Sequence, residues 1–284
     1  MNNEKNKLKW LKKVEDTMKI GGKSNQTFLN YKSHILRFLN YYDIQINISK
    51  INENEIAEYV LENYIKFDRS ADTINVCVCS IRFLYSVCFN KELNKKLLPS
   101  SKIKKRIPTI ISKDDFIKIF NNEKHLNHKC WLILAFCCGL RVEEVASIRI
   151  ENIYSKEHKL KVLGKGNKER FTILPDIVIK YLRLYYKSKK LNKKSGYLFE
   201  GSLNHELINS KSIINFFTFV KKKYNLNENI SFHSLRHSFA TYYLMNGGNI
   251  ITLKSMLGHK TLGVTGMYAH IALNFNNLEG IKYV

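Results

Sequence analysis

The sequence is short of acidic residues, with 24 Asp and Glu against 47 Lys and Arg in 284 residues, a formal charge of +23. Such a surface attracts nucleic acid, acidic membranes or acidic proteins and disfavours enzymes that act on neutral small molecules. Long apolar runs are also missing, since the longest, Trp131 to Cys138, is too short to cross a bilayer. The first ten residues lack the apolar core of a secretory signal. We therefore expect a cytoplasmic protein.

Common metal-binding spacings are scarce as well. None of the six cysteines forms a C-x-x-C pair, and none of the nine histidines lies in an HExxH segment. Cys137 and Cys138 are adjacent within the apolar run, which favours small buried thiols over disulfides or a zinc site. No clustered set of Asp and Glu indicates two-metal catalysis. We expect neither a metal nor a cofactor.

Apolar residues at helical spacing dominate the first hundred residues. Between Ser24 and Tyr42 they fall on one face, and Ser24 is a candidate N-cap. Further helices are predicted at 8–18, 53–65 and 72–89. The length and the 44% of apolar residues suit two folded domains.

A basic segment follows this helical region. Residues 91–106 hold seven Lys and Arg against the single acid Glu92, and Pro99 and Pro108 lie within or beside it. This composition is typical of a solvated connector. In a protein of this charge we expect it to lie along phosphates, through Lys95, Lys96, Lys102, Lys104, Lys105 and Arg106. The predicted division is a helical domain at 1–98, a linker at 99–110 and a second domain at 111–284.

The second domain is predicted to start with a helix capped by Ser112, with Asp115 three residues later. Strand-like runs at 160–163 and 170–174 flank the glycine-rich turn Gly164 to Lys168. Further helices are predicted at 177–187, 211–224, 234–246 and 250–257. The expected fold class is therefore mainly α, with a small antiparallel β-sheet in the C-terminal domain.

Several basic and aromatic residues suit cleavage of a phosphodiester. Guanidinium groups match phosphate oxygens, a lysine can protonate a leaving oxygen, and a tyrosine can be the nucleophile. Arg141 follows a glycine break, and His233 and Arg236 lie one helical turn apart near a predicted helix N-terminus, where anions bind. Each has an ordinary alternative: Arg141 could pair with Glu143 or Glu144, and a turn lysine is commonly solvated.

Five segments together, at 139–145, 164–166, 233–237, 257–261 and 265–270, in this order resemble the tyrosine recombinases of the phage integrase family. The match extends over essentially the whole chain and is most specific in GLRVEEV, LGKGNKER, HSLRHSFAT and LGHKTLGVTGMY. The resemblance implies a SAM-like N-terminal domain and a catalytic domain that together clamp DNA in a C shape. Phe232 stands where the family often has proline, but no catalytic position is missing.

The resemblance also implies a role for each matching residue. The scissile phosphate is held by Arg141 and Arg236, and Glu144 supports the first of them. The other roles are protonation of the leaving 5′ oxygen by Lys165, acid–base exchange by His233, phosphate hydrogen bonding by His259 and nucleophilic attack by Tyr268. For DNA contacts outside this set we expect Thr73, Asn75, Lys168 and Lys211.

The implied activity is site-specific recombination of duplex DNA through a 3′-phosphotyrosyl link and a Holliday junction, without ATP or metal. The implied partners are an inverted-repeat core site and further copies of the chain, as a dimer on each site and a tetramer in the synapse. An apolar tail containing Ile271, Leu273 and Leu278 could dock in a neighbouring copy or pack on its own domain. The biological role stays open between cointegrate resolution, dimer resolution, integration or excision, and inversion.

Other functions compete with this interpretation. A type IB topoisomerase shares phosphotyrosine chemistry, although the Leu-Gly-His-Lys-Thr segment and the helical first domain favour a recombinase. A non-catalytic DNA-binding module that pairs with an active relative is disfavoured by the intact Arg-Lys-His-Arg-His-Tyr set. A simple helix-turn-helix repressor would have no need of Lys165 or Tyr268.

Overall fold

The computed structural model describes residues 2–42, 47–102, 107–164, 168–189, 196–201 and 207–279, with side chains between residues 4 and 273 of these ranges. Its residues belong to two compact units, Met1–Lys105 and Arg106–Val284. Each unit has its own apolar core.

In its described part the first unit contains helices and no strand. Its helices are α1 (Asn2–Ile20), α2 (Asn25–Tyr41), α3 (Glu53–Val60) and α4 (Ala71–Phe89). The predicted cap is confirmed, because the Ser24 side chain accepts a hydrogen bond from the Thr27 amide at the start of α2. The helix predicted at 53–65 ends differently, since its last turn, Leu61–Ile65, is π-helical.

Helix α4 is the central helix of this unit. It packs against α1 and α2, and its buried face includes Ile74, Val78, Ile81 and Leu84. Helix α4 is long and apolar enough to cross a membrane by length and composition alone. Uninterrupted apolar runs in the sequence do not reveal this property. Its inward face forms part of the first unit's core, as expected of a core helix in a folded domain.

An apolar helix lies at the centre of the second unit. Its helices are α5 (Lys113–Asn122), α6 (Leu126–Cys138), α7 (Val142–Ala146), α8 (Asp176–Ser188), α9 (Ser210–Lys223), α10 (Phe232–Met245), α11 (Ile250–Leu257) and α12 (Leu262–Glu279). Helix α6 packs against α8 and α10, which explains why its apolar residues extend around most of its circumference. The predicted cap at Ser112 is confirmed by its hydrogen bond from the Asp115 amide.

A three-stranded antiparallel sheet completes the second unit. Its strands are β1 (Ile153–Tyr154), β2 (Lys159–Leu163) and β3 (Glu169–Ile173), in the order β1-β2-β3. The β2–β3 hairpin was predicted, whereas β1 was not, because two residues carry no periodic signal. Register pairs Val162 with Arg170, and the hairpin places Arg170 beside Glu144 of α7 and Met256 near the end of α11.

Candidate active site

Arg141 lies at the junction between α6 and α7. Helix α6 ends at Gly139, whose φ of 69° is the left-handed conformation that favours glycine. A Cβ atom at this glycine would lie 2.4 Å from Cδ1 of Phe239, so the chain passes too close to α10 for any other residue. The turn leaves the Arg141 side chain 34% exposed at the start of α7.

Glu144, predicted to support Arg141, is the acidic centre of the site and is only 5% exposed. Its carboxylate accepts hydrogen bonds of 2.8 Å from both the backbone amide and Nη1 of Arg141. Burial alone would raise the pKa of this carboxyl group. Hydrogen bonds and charge from Arg170, the Arg141 amide and the charge of Arg236 outweigh burial and lower the pKa to about 2. Glu144 is therefore ionised at neutral pH.

Arg170 on β3 was not among the predicted site residues. Its Nη1 and Nη2 atoms each donate to Glu144 at 2.8 Å, a bidentate pair, and its Nε donates to the Met256 carbonyl at 2.6 Å. The side chain is 7% exposed. Arg170 thus connects the β-hairpin to α7 and to the C-terminal end of α11.

Arg236 is fully buried in α10, with 0% of its surface exposed. It donates to the carbonyls of Gly139 at 2.7 Å and of Leu257 at 2.6 Å, and lies 3.5 Å from Glu144. Burial and the charge of Arg141 lower its pKa to about 9, so it remains a cation at neutral pH. Because Arg141 Nη1 also lies 3.4 Å from the Leu257 carbonyl, the two predicted phosphate-binding arginines converge at the end of α11.

His259 follows Gly258, which ends α11 with a φ of 66°. Its Nε2 lies 3.3 Å from Arg236 Nη2 and its Nδ1 lies 3.0 Å from the Thr265 hydroxyl. Since a guanidinium group only donates, Nε2 accepts and the ring proton lies on Nδ1. Burial and the charges of Arg236, Arg141 and Arg170 lower the pKa of His259 to about 4, which keeps the ring neutral.

Two histidines lie on consecutive turns of α10. The rings of His233 and His237 are 4.6 Å apart and perpendicular. His233 is exposed at the edge of the site, yet the surrounding protein and the charges of Arg236 and Arg141 hold its pKa below the usual value. Of these two histidines, only His233 was predicted to have a role. The H-x3-H spacing between His233 and His237 was a signal that could have indicated His237 as well.

Tyr268, the predicted nucleophile, lies in α12 and is 2% exposed. Its hydroxyl lies 2.8 Å from His237 Nδ1, and its ring lies 6.1 Å from that of His259 at 19°. Burial raises its pKa, although the charges of Arg236 and Arg141 act in the opposite direction. The structure thus brings Arg141, Glu144, Arg236, His233, His259 and Tyr268 together.

The structure does not place the remaining predicted site and DNA-contact residues in this group. Lys104, Lys105, Arg106 and the hairpin lysine Lys165 lie outside the described residues. Exposed side chains are found at Lys95, Lys96, Lys102, Lys168 and Lys211. Thr73 is half-buried in the first turn of α4. Asn75 exchanges two hydrogen bonds with the Ser101 backbone, at 3.0 Å and 2.7 Å, so its amide holds the chain that leaves the first unit.

Arg170 and His237 are the two site residues that sequence analysis missed. Arg170 lies within a segment that carried the family resemblance, and its position in the hairpin strand was the available signal. No group of three or more His, Cys, Asp or Glu in the described part of the chain is arranged to hold a metal ion.

Comparisons with known proteins show which family the chain resembles over its length. The family model described as "Phage integrase family" matches residues 109–274, and that described as "Phage integrase, N-terminal SAM-like domain" matches residues 10–95. A tyrosine recombinase of Thermosipho africanus is 28% identical over 264 residues, which cover 88% of this chain and 90% of that protein. Tyrosine recombinase XerD of Staphylococcus epidermidis is 25% identical with the same coverage.

Solved structures share the fold at low sequence identity. XerH recombinase, solved after cleavage on a palindromic difH substrate, has a TM-score of 0.73 at 18% identity, covering 89% of this chain and 79% of XerH. A lambda integrase dimer bound to a COC′ core site has a TM-score of 0.72 at 18% identity, covering 92% of this chain and 94% of that one. With one family model spanning more than half of its length, the chain belongs to the phage integrase family, the tyrosine-type site-specific recombinases.

Proposed function

We propose that the chain cuts and rejoins duplex DNA at specific sites through a covalent link between Tyr268 and a 3′ phosphate. The observation that supports this most strongly is the convergence of Arg141, Arg236, His259 and Tyr268 around the end of α11. Two phosphate-binding arginines, a hydrogen-bonding histidine and a nucleophile are the groups that phosphoryl transfer to tyrosine needs.

The charge of the site suits a phosphodiester. Three guanidinium groups, those of Arg141, Arg170 and Arg236, face the single carboxylate of Glu144, which leaves two positive charges. The carbonyls of Gly139, Met256 and Leu257 satisfy further N–H groups without cancelling charge. A phosphodiester brings one negative charge and gains more as it is attacked, and fixed cations in a partly buried site stabilise that change.

Proton transfer completes the proposed reaction. The hydroxyl of Tyr268 gives its proton to a neighbouring histidine as its oxygen attacks the phosphorus, and the leaving 5′ oxygen takes a proton from Lys165. His233, exposed at the edge of the site, serves as a further acid–base group. The phosphotyrosyl link keeps the bond energy, so rejoining needs no ATP. The guanidinium groups take the place of a metal, since Glu144, the carboxylate that the described residues bring to the site, is fully engaged by arginines.

The proposed substrate is duplex DNA with an inverted-repeat site, bound in the cytoplasm by a dimer and paired in a tetramer that exchanges strands through a Holliday junction. XerH and lambda integrase are solved on DNA sites, the latter as a dimer. Ile271 and Ala272 pack within their own unit and Leu273 is exposed, so exchange of the C-terminal tail between copies would begin beyond Ala272. Resolution of dimers or cointegrates, integration and excision are the proposed roles.

Covalent trapping on a nicked duplex tests this proposal. The binding site is first recovered from a random duplex pool with the Tyr268→Phe variant. A nick beside the scissile phosphate then lets a short fragment diffuse away, so that the adduct accumulates. We expect wild-type protein, with EDTA and without ATP, to give a DNA–protein band on a denaturing gel, and Tyr268→Phe to give none.

Three outcomes would overturn the proposal. An adduct of equal yield in Tyr268→Phe would assign the nucleophile to another residue. Tight binding of the selected site by wild-type protein without any adduct would indicate a DNA-binding module, and adducts on duplexes without the site would favour a topoisomerase.

A further inference from the structure

His237 makes a direct contact with the proposed nucleophile. Its Nδ1 lies 2.8 Å from the Tyr268 hydroxyl, and the two rings are 5.6 Å apart. The distance is that of a normal hydrogen bond. His233, the histidine that the family resemblance assigns to acid–base work, contacts the ring of His237 instead. Among the described residues, His237 is the acid–base group placed to exchange a proton with the attacking oxygen.

We propose that His237 is a catalytic residue that accepts the proton of Tyr268 during strand cleavage and returns it during strand joining. This inference rests on the proposed function. As the Tyr268 oxygen forms its bond to phosphorus, the O–H bond breaks and its proton passes to Nδ1, while the bond from phosphorus to the 5′ oxygen breaks. In the joining step the incoming 5′ hydroxyl displaces the tyrosine, whose oxygen takes the proton back from His237.

The electrostatic surroundings keep His237 able to accept. Burial and the charges of His233, Arg236 and His259 lower its pKa to about 4, so the ring is neutral near pH 7. With the ring proton on Nε2, the Nδ1 lone pair accepts from the hydroxyl. Tyr268 faces it from α12. A phosphate bound at Arg236 brings negative charge close to His237. This charge favours the protonated form of the His237 ring and so raises its basicity when DNA is present.

The α10 helix explains why His237 is well placed. His237 directly follows Arg236, whose guanidinium group is held by two backbone carbonyls. His237 also contacts Tyr268 in α12, a helix that packs against α10. The position of the acceptor is therefore set by the same helix that holds the phosphate-binding guanidinium. Proton acceptor and phosphate site would move together.

The test compares His237→Asn and His237→Ala with wild type on the nicked duplex described above, in single-turnover reactions from pH 3.5 to 9. Asparagine keeps a hydrogen-bonding group close to the position of Nδ1 but does not accept a proton. The matched control is His270→Asn, because His270 is exposed on the same helix as Tyr268. Melting temperature and binding of the site are measured for each variant.

We expect both His237 variants to form the adduct about 100-fold more slowly near pH 7, while His270→Asn retains the wild-type rate. The wild-type rate should fall at acidic pH as His237 becomes protonated. In His237→Asn that decrease should vanish, and the rate should rise towards pH 9 as hydroxide replaces the lost base.

Either of two results would overturn the inference. His237→Asn could cleave within about threefold of wild type at pH 7, or it could lose the same factor at every pH, which marks a purely structural role. Failure of the proposed function looks different, because wild-type protein would then give no adduct or Tyr268→Phe would give the same adduct.

Discussion

Replacing Arg170 with methionine tests how much the buried ion network contributes to the stability of the second unit. Methionine fills similar volume but removes the two hydrogen bonds to Glu144 and the one to the Met256 carbonyl. Both partners of the ion pair are at most 7% exposed, so water does not replace the lost donors. Glu144 keeps its bonds to Arg141 in the variant.

The size of the effect follows from removing one partner of a buried pair. Such changes cost about 3–5 kcal/mol in the free energy of unfolding, and the remaining bonds to Arg141 place this case near about 3 kcal/mol. For a unit of the size of Arg106–Val284, each kcal/mol lowers the melting temperature by about 2–4 °C. We therefore expect a decrease of about 6–12 °C.

The pH dependence gives an independent estimate. The pKa of Glu144 is lowered from 4.5 to about 2. At 1.36 kcal/mol per pKa unit, its ionised form contributes about 3 kcal/mol to stability. Because the pKa is lowered in the folded state, this contribution is complete above pH 4.5 and is lost as the pH falls towards 2. Arg170→Met should raise the pKa of Glu144, so the difference from wild type should be largest at neutral pH and shrink below pH 4.5.

Tryptophan fluorescence can isolate the relevant unit. Trp131 is buried in α6 of the second unit, whereas Trp10 belongs to α1 of the first, so a Trp10→Phe background reports on the second alone. The matched control is Lys161→Met, which removes a surface ion pair with Glu169 in the same hairpin and should cost less than about 1 kcal/mol. If Arg170→Met is no more destabilising than this control, or its effect does not change between pH 7 and 3, our reasoning fails.

Two further predictions concern the backbone and the DNA. Gly139→Ala should destabilise the second unit by more than about 2 kcal/mol in denaturant titrations, because its positive φ is combined with the contact with Phe239. Gly22→Ala has a similar positive φ but nothing within 4 Å, and should cost the first unit only about 1 kcal/mol; equal costs would contradict this. The logarithm of the affinity for DNA should fall steeply with the logarithm of the salt concentration. Lys95→Ala and Lys96→Ala should each lower the slope of this dependence by about 1. An unchanged slope would place these lysines away from phosphates.

Local signals in the sequence were sufficient for most elements of the fold. Ser24 and Ser112 cap helices because a hydroxyl, an apolar face and helix-forming residues coincide within one turn. The helix containing Tyr268 was not predicted, since Gly263 and Gly266 weaken its local propensity and its packing against α10 and α11 supplies the stability.

The candidate site was predictable only in part. The family resemblance supplied Arg141, Arg236, His259 and Tyr268, but not which of them touch. Arg170 meets Glu144 across 26 residues of sequence and His237 meets Tyr268 across 31, and such contacts depend on the packing of helices and hairpin rather than on local pattern. Lys165 stays a prediction, because it lies outside the described residues.

The burial of Tyr268 connects the proposed cleavage step to the recognition of a DNA site. With 2% of its surface exposed, the tyrosine does not meet a phosphate that simply collides with the protein. Uncovering it costs free energy, which only a favourable complex can supply. Random DNA binds mainly through its backbone and supplies less of this energy than a matched site. Under the proposed function, DNA without a matched site is therefore cut less, because Tyr268 becomes available only in proportion to how well the sequence fits.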